Sequence, residues 1–152
     1  MIIEEKKLNP IGLEMLEKEN ILFSNRINVR IDDINYGNHL CHTKMIAFIH
    51  HTRTLFLQRN KLSEIDCFGA GLIMLNLNVE YRSECFFDDT LDIYMHFEKL
   101  DKVKIEFSYS VINITTNKLA AKANTLMAFF DIHNQKLIRV PNEFKKLIDS
   151  LV

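Results

Sequence analysis

The sequence predicts an α+β fold in which a long, mostly antiparallel sheet wraps around one central helix. Four late stretches carry the apolar–polar alternation of strands, and the helical segments stand apart from them, which favours α+β over a parallel α/β sheet. Residues 41–60, CHTKMIAFIHHTRTLFLQRN, are apolar over most of a helix's girth, and no Asp or Glu occurs from Leu40 through Lys61. A helix with so little charge is expected to be wrapped by other elements. Strands longer than the usual run of about five or six residues can curl around it.

The first segment, NPIGLEMLEKEN, reads as a short helix, with Asn9 as cap and Pro10 in the first helical position. RINVRID then alternates, placing Ile27, Val29 and Ile31 on one face of a first strand. A polar loop, DDINYGNHLCH, leads into the helix of 41–60. There Met45, Phe48, Ile49, Thr52, Leu55 and Phe56 recur at three- and four-residue spacing, and Ile46 and Leu57 widen the stripe. After EIDCFGAG come four strands. LIMLNLNVEYR begins as an apolar run and then alternates through Leu75, Leu77, Val79 and Tyr81. TLDIYMHFEK alternates through Leu91, Ile93, Met95 and Phe97, and VKIEFSYSVINI through Ile105, Phe107, Tyr109 and Val111. LAAKANTLMAFFDI is long and less regular. The short polar links LDK and TTNK read as hairpin turns. Pro141 opens a last helix with Phe144, Leu147, Ile148 and Leu151 on one stripe. The whole is read as one domain over 1–152, with a short N-terminal extension over about residues 1–20.

The net charge of −1 removes the electrostatic argument for a nucleic-acid partner. Eleven Phe and no Trp point either to a Phe-rich core or to a pocket lined for an apolar ligand. Cys41, Cys67 and Cys85 form no C-x-x-C pair, and their odd number fits a reducing compartment. MIIEEKKLNP carries acids and no long apolar run follows, so no signal peptide and no membrane span are expected, and the location expected is the cytoplasm.

DDINYGNHLCH concentrates the chemistry. It holds an acid pair, two Asn, a Gly and two His within eleven positions. The helix that follows has no carboxylate at its start, so the positive end of its dipole is open to another electron-rich group. His39-x-x-His42 with His50 or His51 matches no common zinc spacing. GAG at 69–71 lacks the spacing of a phosphate loop, and no nucleophile elbow occurs. No metal and no cofactor are expected.

These residues resemble a family. The order strand, long apolar helix, four strands resembles the hotdog fold, and the loop resembles the signature of 4-hydroxybenzoyl-CoA thioesterases and FadM/YbgC-like acyl-CoA thioesterases, D-x-D-x-x-G-H-V-N-N-x-x-Y. Asp33 falls on its first Asp and Asn35 on the second, His39 on the His, Cys41 and His42 on the two Asn, and Met45 on the Tyr. The family helix carries Glu, Ala and Arg near its end, where His51, Thr52 and Arg53 stand here. VEYRSECFFDDTLDI and RVPNEF resemble later segments, with Tyr81 and Asp89 in place. The resemblance covers about residues 22–148.

The resemblance implies an acyl-CoA or acyl-ACP thioesterase, assembled as a homodimer or homotetramer. It implies that the backbone N–H of His42 polarises the thioester carbonyl. The family's catalytic Asp is replaced by Asn35, and a neutral amide cannot abstract a proton. Asn35 can orient a water or hold the carbonyl, leaving His39, His42 and His51 as candidate bases. His39 also aligns with the His of D-x-D-x-N-x-H in plant acyl-ACP thioesterases. Asp33, Tyr36, Gly37 and Cys41 are the expected substrate contacts. Each has a plainer alternative: Asp33 pins the loop, Gly37 serves a turn, His39 bonds the loop backbone, and His42 caps the helix. Arg53 reads as a structural ion-pair partner. Two functions stay open: a thioester hydrolase, or a hotdog protein that binds acyl thioesters without turnover. A dehydratase on the same fold ranks behind both.

Overall fold

A computed structural model describes residues 20–152. The helix expected from Asn9 and Pro10 onward lies outside the described residues. The elements in chain order are β1 (Ile21–Asn28), a 3-10 turn (Ile31–Asp33), α1 (His42–Arg59), β2 (Gly71–Tyr81), β3 (Thr90–Leu100), β4 (Lys104–Asn113), β5 (Lys118–Asp131), β6 (Lys136–Leu137) and α2 (Asn142–Leu151). The strands form one sheet in the order β1-β3-β4-β5-β2, antiparallel throughout, with the short β6 added on β5.

The β3–β4 and β4–β5 links are hairpins, as their short polar sequences predict. The β2–β3 link is not. β2 lies at the far edge beside β5, and β3 lies between β1 and β4. That placement explains why Leu75, Leu77 and Tyr81 alternate like core residues yet are exposed. An edge strand has one neighbour, and here half of its apolar pattern meets nothing within the chain. β1 starts and ends earlier than RINVRID suggests. The chain leaves the sheet at residue 29 and tightens into the 3-10 turn, so Ile31 reaches 72% exposure and does not share a face with Ile27.

β3 is buried on both faces. Leu91, Ile93 and Met95 join the main core, while Asp92, Tyr94 and His96 are buried on the opposite face. Asp92 is neutralised by its cross-strand neighbour Arg26, through two bonds of 2.7 and 2.8 Å. α1 lies across the other face of the sheet and buries Met45, Ile49, Thr52, Arg53, Phe56 and Leu57. The Phe56 ring sits between Phe23 of β1, at 6.3 Å, and Phe107 of β4, at 6.5 Å, and anchors the helix. Ala47, His51, Thr54 and Gln58 face solvent, so this chain alone wraps the helix on one side only. Uncharged polar residues make that outer face look apolar in the sequence. Beyond β5, Pro141 precedes α2, whose Phe144 packs on Phe129 at 5.0 Å between ring centres.

Candidate active site

The loop between the 3-10 turn and α1 is a tight hairpin. Ile34 and Leu40 form an antiparallel bridge. The Asn35 N–H donates to His39 O at 3.0 Å, and the Asn38 N–H donates to Asn35 O at 3.0 Å. These bonds enclose residues 36–38 in a three-residue loop whose last position must be left-handed. Asn38 fills it with φ of 66°. Asn is among the few non-glycine residues that tolerate this conformation.

Asn35 and His39 flank the loop, and their side chains are oriented by the backbone. Asn35 Oδ1 accepts the Gly37 N–H at 2.9 Å. Only the oxygen of the amide can accept, so the NH2 group points elsewhere and has no partner among the described residues. His39 Nδ1 lies 3.2 Å from the Leu40 carbonyl. A carbonyl needs a donor, so this nitrogen carries the proton, and Nε2 is left with its lone pair in the neutral ring. A Cβ on Gly37 would stand 2.9 Å from His39 Nε2 and 3.2 Å from Asn35 Oδ1. Gly37 therefore makes room for these two side chains, where the sequence suggested room for a ligand.

Asp33 pins the loop to the helix. Its buried carboxylate accepts the Arg30 N–H at 2.8 Å and lies 3.8 Å from Lys44 Nζ. Its carbonyl accepts the Cys41 N–H at 2.9 Å. The Leu40 N–H donates to Cys85 O at 2.7 Å and fastens the loop to the segment after β2. Cys41 precedes the helix without capping it. The His42 N–H has no acceptor among the described residues, whereas the Thr43 N–H is turned to the Cys41 sulfur.

A cavity of about 260 Å³ opens at this point, lined by Asn35, His39, Leu40, His42, Met45 and the run Tyr81–Cys85. Of the residues singled out in the sequence, it gathers Asn35, His39 and His42, with Met45 and Tyr81 of the family resemblance. It does not gather the others. Asp33 is buried in its pinning role, Tyr36 is fully exposed, and Gly37 lies beneath the His39 ring. Cys41 turns to the Thr43 hydroxyl at 3.1 Å, a contact that lowers its thiol pKa. His51 is exposed on the outer face of α1 and does not line this cavity. Its neighbour His50 is also exposed and lies 3.3 Å from Glu64.

The far wall contributes Tyr81, which the family resemblance placed without a role, and Glu84, which the sequence reading missed. Tyr81 donates its hydroxyl to the His42 carbonyl at 2.8 Å and bridges β2 to the helix start. Glu84, beside it, puts a carboxylate on the cavity wall, although none stands at position 35. No local motif marks Glu84; only the pairing of residues 40 and 85 brings it close. Among the described residues, no three His, Cys, Asp or Glu side chains converge to hold a metal ion.

Chemically, the site offers a donor at the helix start, an amide NH2 and an imidazole lone pair. This set can hold an oxygen that gains negative charge and can accept a proton from water.

Comparison with known proteins points the same way. Residues 29–148 match the model of the thioesterase-like superfamily. An Aquifex aeolicus protein named "Putative esterase" is 26% identical over 109 residues, covering 70% of this chain and 82% of that protein. Among solved structures, the 1,4-dihydroxy-2-naphthoyl-CoA thioesterase Slr0204 of Synechocystis superposes with a TM-score of 0.76 at 15% identity, over 85% of this chain and 96% of that one. The Staphylococcus aureus protein SAV2348, in complex with CoA, gives 0.78 at 17% identity, over 87% and 84%. At these identities the two structures establish a shared fold.

Proposed function

The chain belongs to the thioesterase-like superfamily, and from that premise we propose that it hydrolyses acyl-CoA or acyl-ACP thioesters in the cavity at the start of α1. One observation carries this reading. The Gly37 N–H and the Leu40 carbonyl hold Asn35 and His39 so that an amide donor and an imidazole lone pair remain available beside the cavity. The thioester carbonyl lies against the His42 N–H, with the Asn35 NH2 as second donor. His39 Nε2 takes a proton from water as the water oxygen attacks the carbonyl carbon. The C–S bond then breaks, and the proton passes to the departing thiolate. Asn35 thus serves the developing oxyanion, in place of the family carboxylate that would activate water.

The enzyme works as a homodimer or homotetramer in the cytoplasm. The exposed apolar residues of the β2 edge, Met74, Leu75, Leu77 and Tyr81, support a partner copy there.

The test is hydrolysis of an acyl-CoA series of increasing chain length. Asn35→Ala and His39→Ala are each expected to lower kcat/KM by at least about tenfold, with Glu84→Gln costing less. Equal rates in all three variants would remove these roles. The competing reading, binding without turnover, has support in the absence of a carboxylate at position 35. It predicts acyl-CoA binding with no hydrolysis above background, and turnover that appears on Asn35→Asp.

A further inference from the structure

The donor that the thioesterase reading needs, the His42 N–H, stands at a helix start with little of its own to hold it. No side-chain oxygen caps α1, and no carboxylate stands in its first turn. The Thr43 N–H is turned to the Cys41 sulfur, a weak acceptor. First turns with so few partners fray, because their N–H groups have no acceptor one turn earlier. A donor on a fraying turn is aimed only part of the time.

Two peptide groups meet at the His42 Cα, and each is held. The one before it carries the His42 N–H. Its carbonyl, that of Cys41, accepts the Lys44 N–H at 3.0 Å and the Met45 N–H at 3.2 Å. The one after it is gripped at both ends. Its carbonyl accepts the Tyr81 hydroxyl at 2.8 Å, and its N–H is the one turned to Cys41. A hydrogen bond to a carbonyl polarises the whole peptide group, so the Tyr81 bond also strengthens the weak contact to sulfur. Peptide groups are planar, so fixing both planes fixes the direction of the His42 N–H while leaving that N–H free.

Tyr81 itself stands on a firm base. Its backbone pairs with Ala121 of β5, and the next two N–H groups, of Arg82 and Ser83, both donate to the Ala120 carbonyl at 2.8 and 3.2 Å. The Ser83 hydroxyl adds a bond of 2.8 Å to the Leu119 carbonyl. The end of β2 is thus fastened to β5, and the long phenol side chain spans from there to the helix. The bond is made within one chain, so no partner copy along β2 is needed to form it.

We propose that Tyr81 is the positioning residue of the oxyanion donor: its hydroxyl clamps the first turn of α1 and keeps the His42 N–H aimed at the thioester carbonyl. The inference rests on the thioesterase reading of His42. Tyr81 acts through the His42 peptide and not on the reacting atoms.

Tyr81→Phe in the full chain tests this, because the variant keeps the ring and loses only the hydroxyl. Against acyl-CoAs, kcat is expected to fall about three- to tenfold, the scale of one neutral hydrogen bond, with KM within about twofold of native. Thermal melts and light scattering monitor fold and assembly beside the rates. A rise in KM at unchanged kcat would make Tyr81 a substrate contact. A lowered melting temperature at unchanged kcat would make it a structural residue only. Either result overturns the proposal. The second readout is amide hydrogen exchange by NMR. In Tyr81→Phe, exchange at Lys44 and Met45, whose acceptor is the Cys41 carbonyl, should speed up about three- to tenfold, while the last turn of α1 keeps its native rates. Unchanged exchange at both overturns the clamp. Faster exchange there, with no acyl-CoA hydrolysed by the native chain, leaves the clamp standing and removes the thioesterase reading instead.

Discussion

Asn35 differs from an aspartate by one atom, and at this position that atom changes sign. Either side chain can give one oxygen to the Gly37 N–H. The second position is then an acceptor in Asp and a donor in Asn. The loop's resemblance to the family signature is what implies an acid at this position, and the direction of the amide required the Gly37 contact. His39 is similar. Its presence is legible, whereas its tautomer follows from the Leu40 carbonyl. Gly37→Ala tests this pair. The added methyl would press on the far end of the His39 side chain, which can swing away, so the stability cost should stay below about 1 kcal/mol. The displaced imidazole should nevertheless lower kcat/KM nearly as far as His39→Ala does, read from steady-state rates beside thermal melts. The thiols give a second check. Burial pushes Cys67 to about 12 and Cys85 to about 11, while the Thr43 hydroxyl lowers Cys41, which is half-buried. Alkylation at pH 8 followed by peptide mass analysis should label Cys41 first and the other two only after unfolding.

Among the elements, α1 and β2 show what periodicity can and cannot tell. The helix was legible because its apolar residues recur at three and four, and Phe56 between two rings is the result. Its solvent face was not, since Thr, His and Gln carry no charge to announce it. β2 alternates as a core strand would, yet sequence cannot say which strand stands at an edge. Its pairing with β5 alone leaves Leu75 at 43% exposure. If a partner copy covers this edge, Leu75→Lys should split the assembly, because it buries a charge against apolar surface. Light scattering should then report a monomer, whereas the native chain gives a dimer or tetramer. An unchanged mass would place the interface elsewhere.

For the whole molecule, the antiparallel α+β class was legible from strand alternation and segregated helices, but the crossing of β2 to the far edge was not. Long-range pairings, which no local pattern encodes, hold the site together. The Asp89 carboxylate accepts the Phe86 N–H and the Asn113 amide, each at 2.8 Å, and its carbonyl receives the Val29 N–H at 2.8 Å. Asp89→Ala should therefore cost about 2–3 kcal/mol by denaturant titration, since it frees several buried groups at once.

The bond from Leu40 to Cys85, with the Asp89 cluster behind it, also sets a timetable. Residues 35–42 hold the catalytic candidates, and the wall they face is supplied by partners about forty to forty-five positions later in the chain. A ribosome must deliver Tyr81 and Cys85 before the loop near the start of the protein has a wall to close against, and Asn113 before the cluster behind that wall is complete. During synthesis the helix can form early, since its contacts are local, while the reactive loop waits. The cavity thus closes late, with the sheet, and a nascent chain halted at the end of α1 carries every candidate residue of the loop, and the loop's own turn, with no wall opposite.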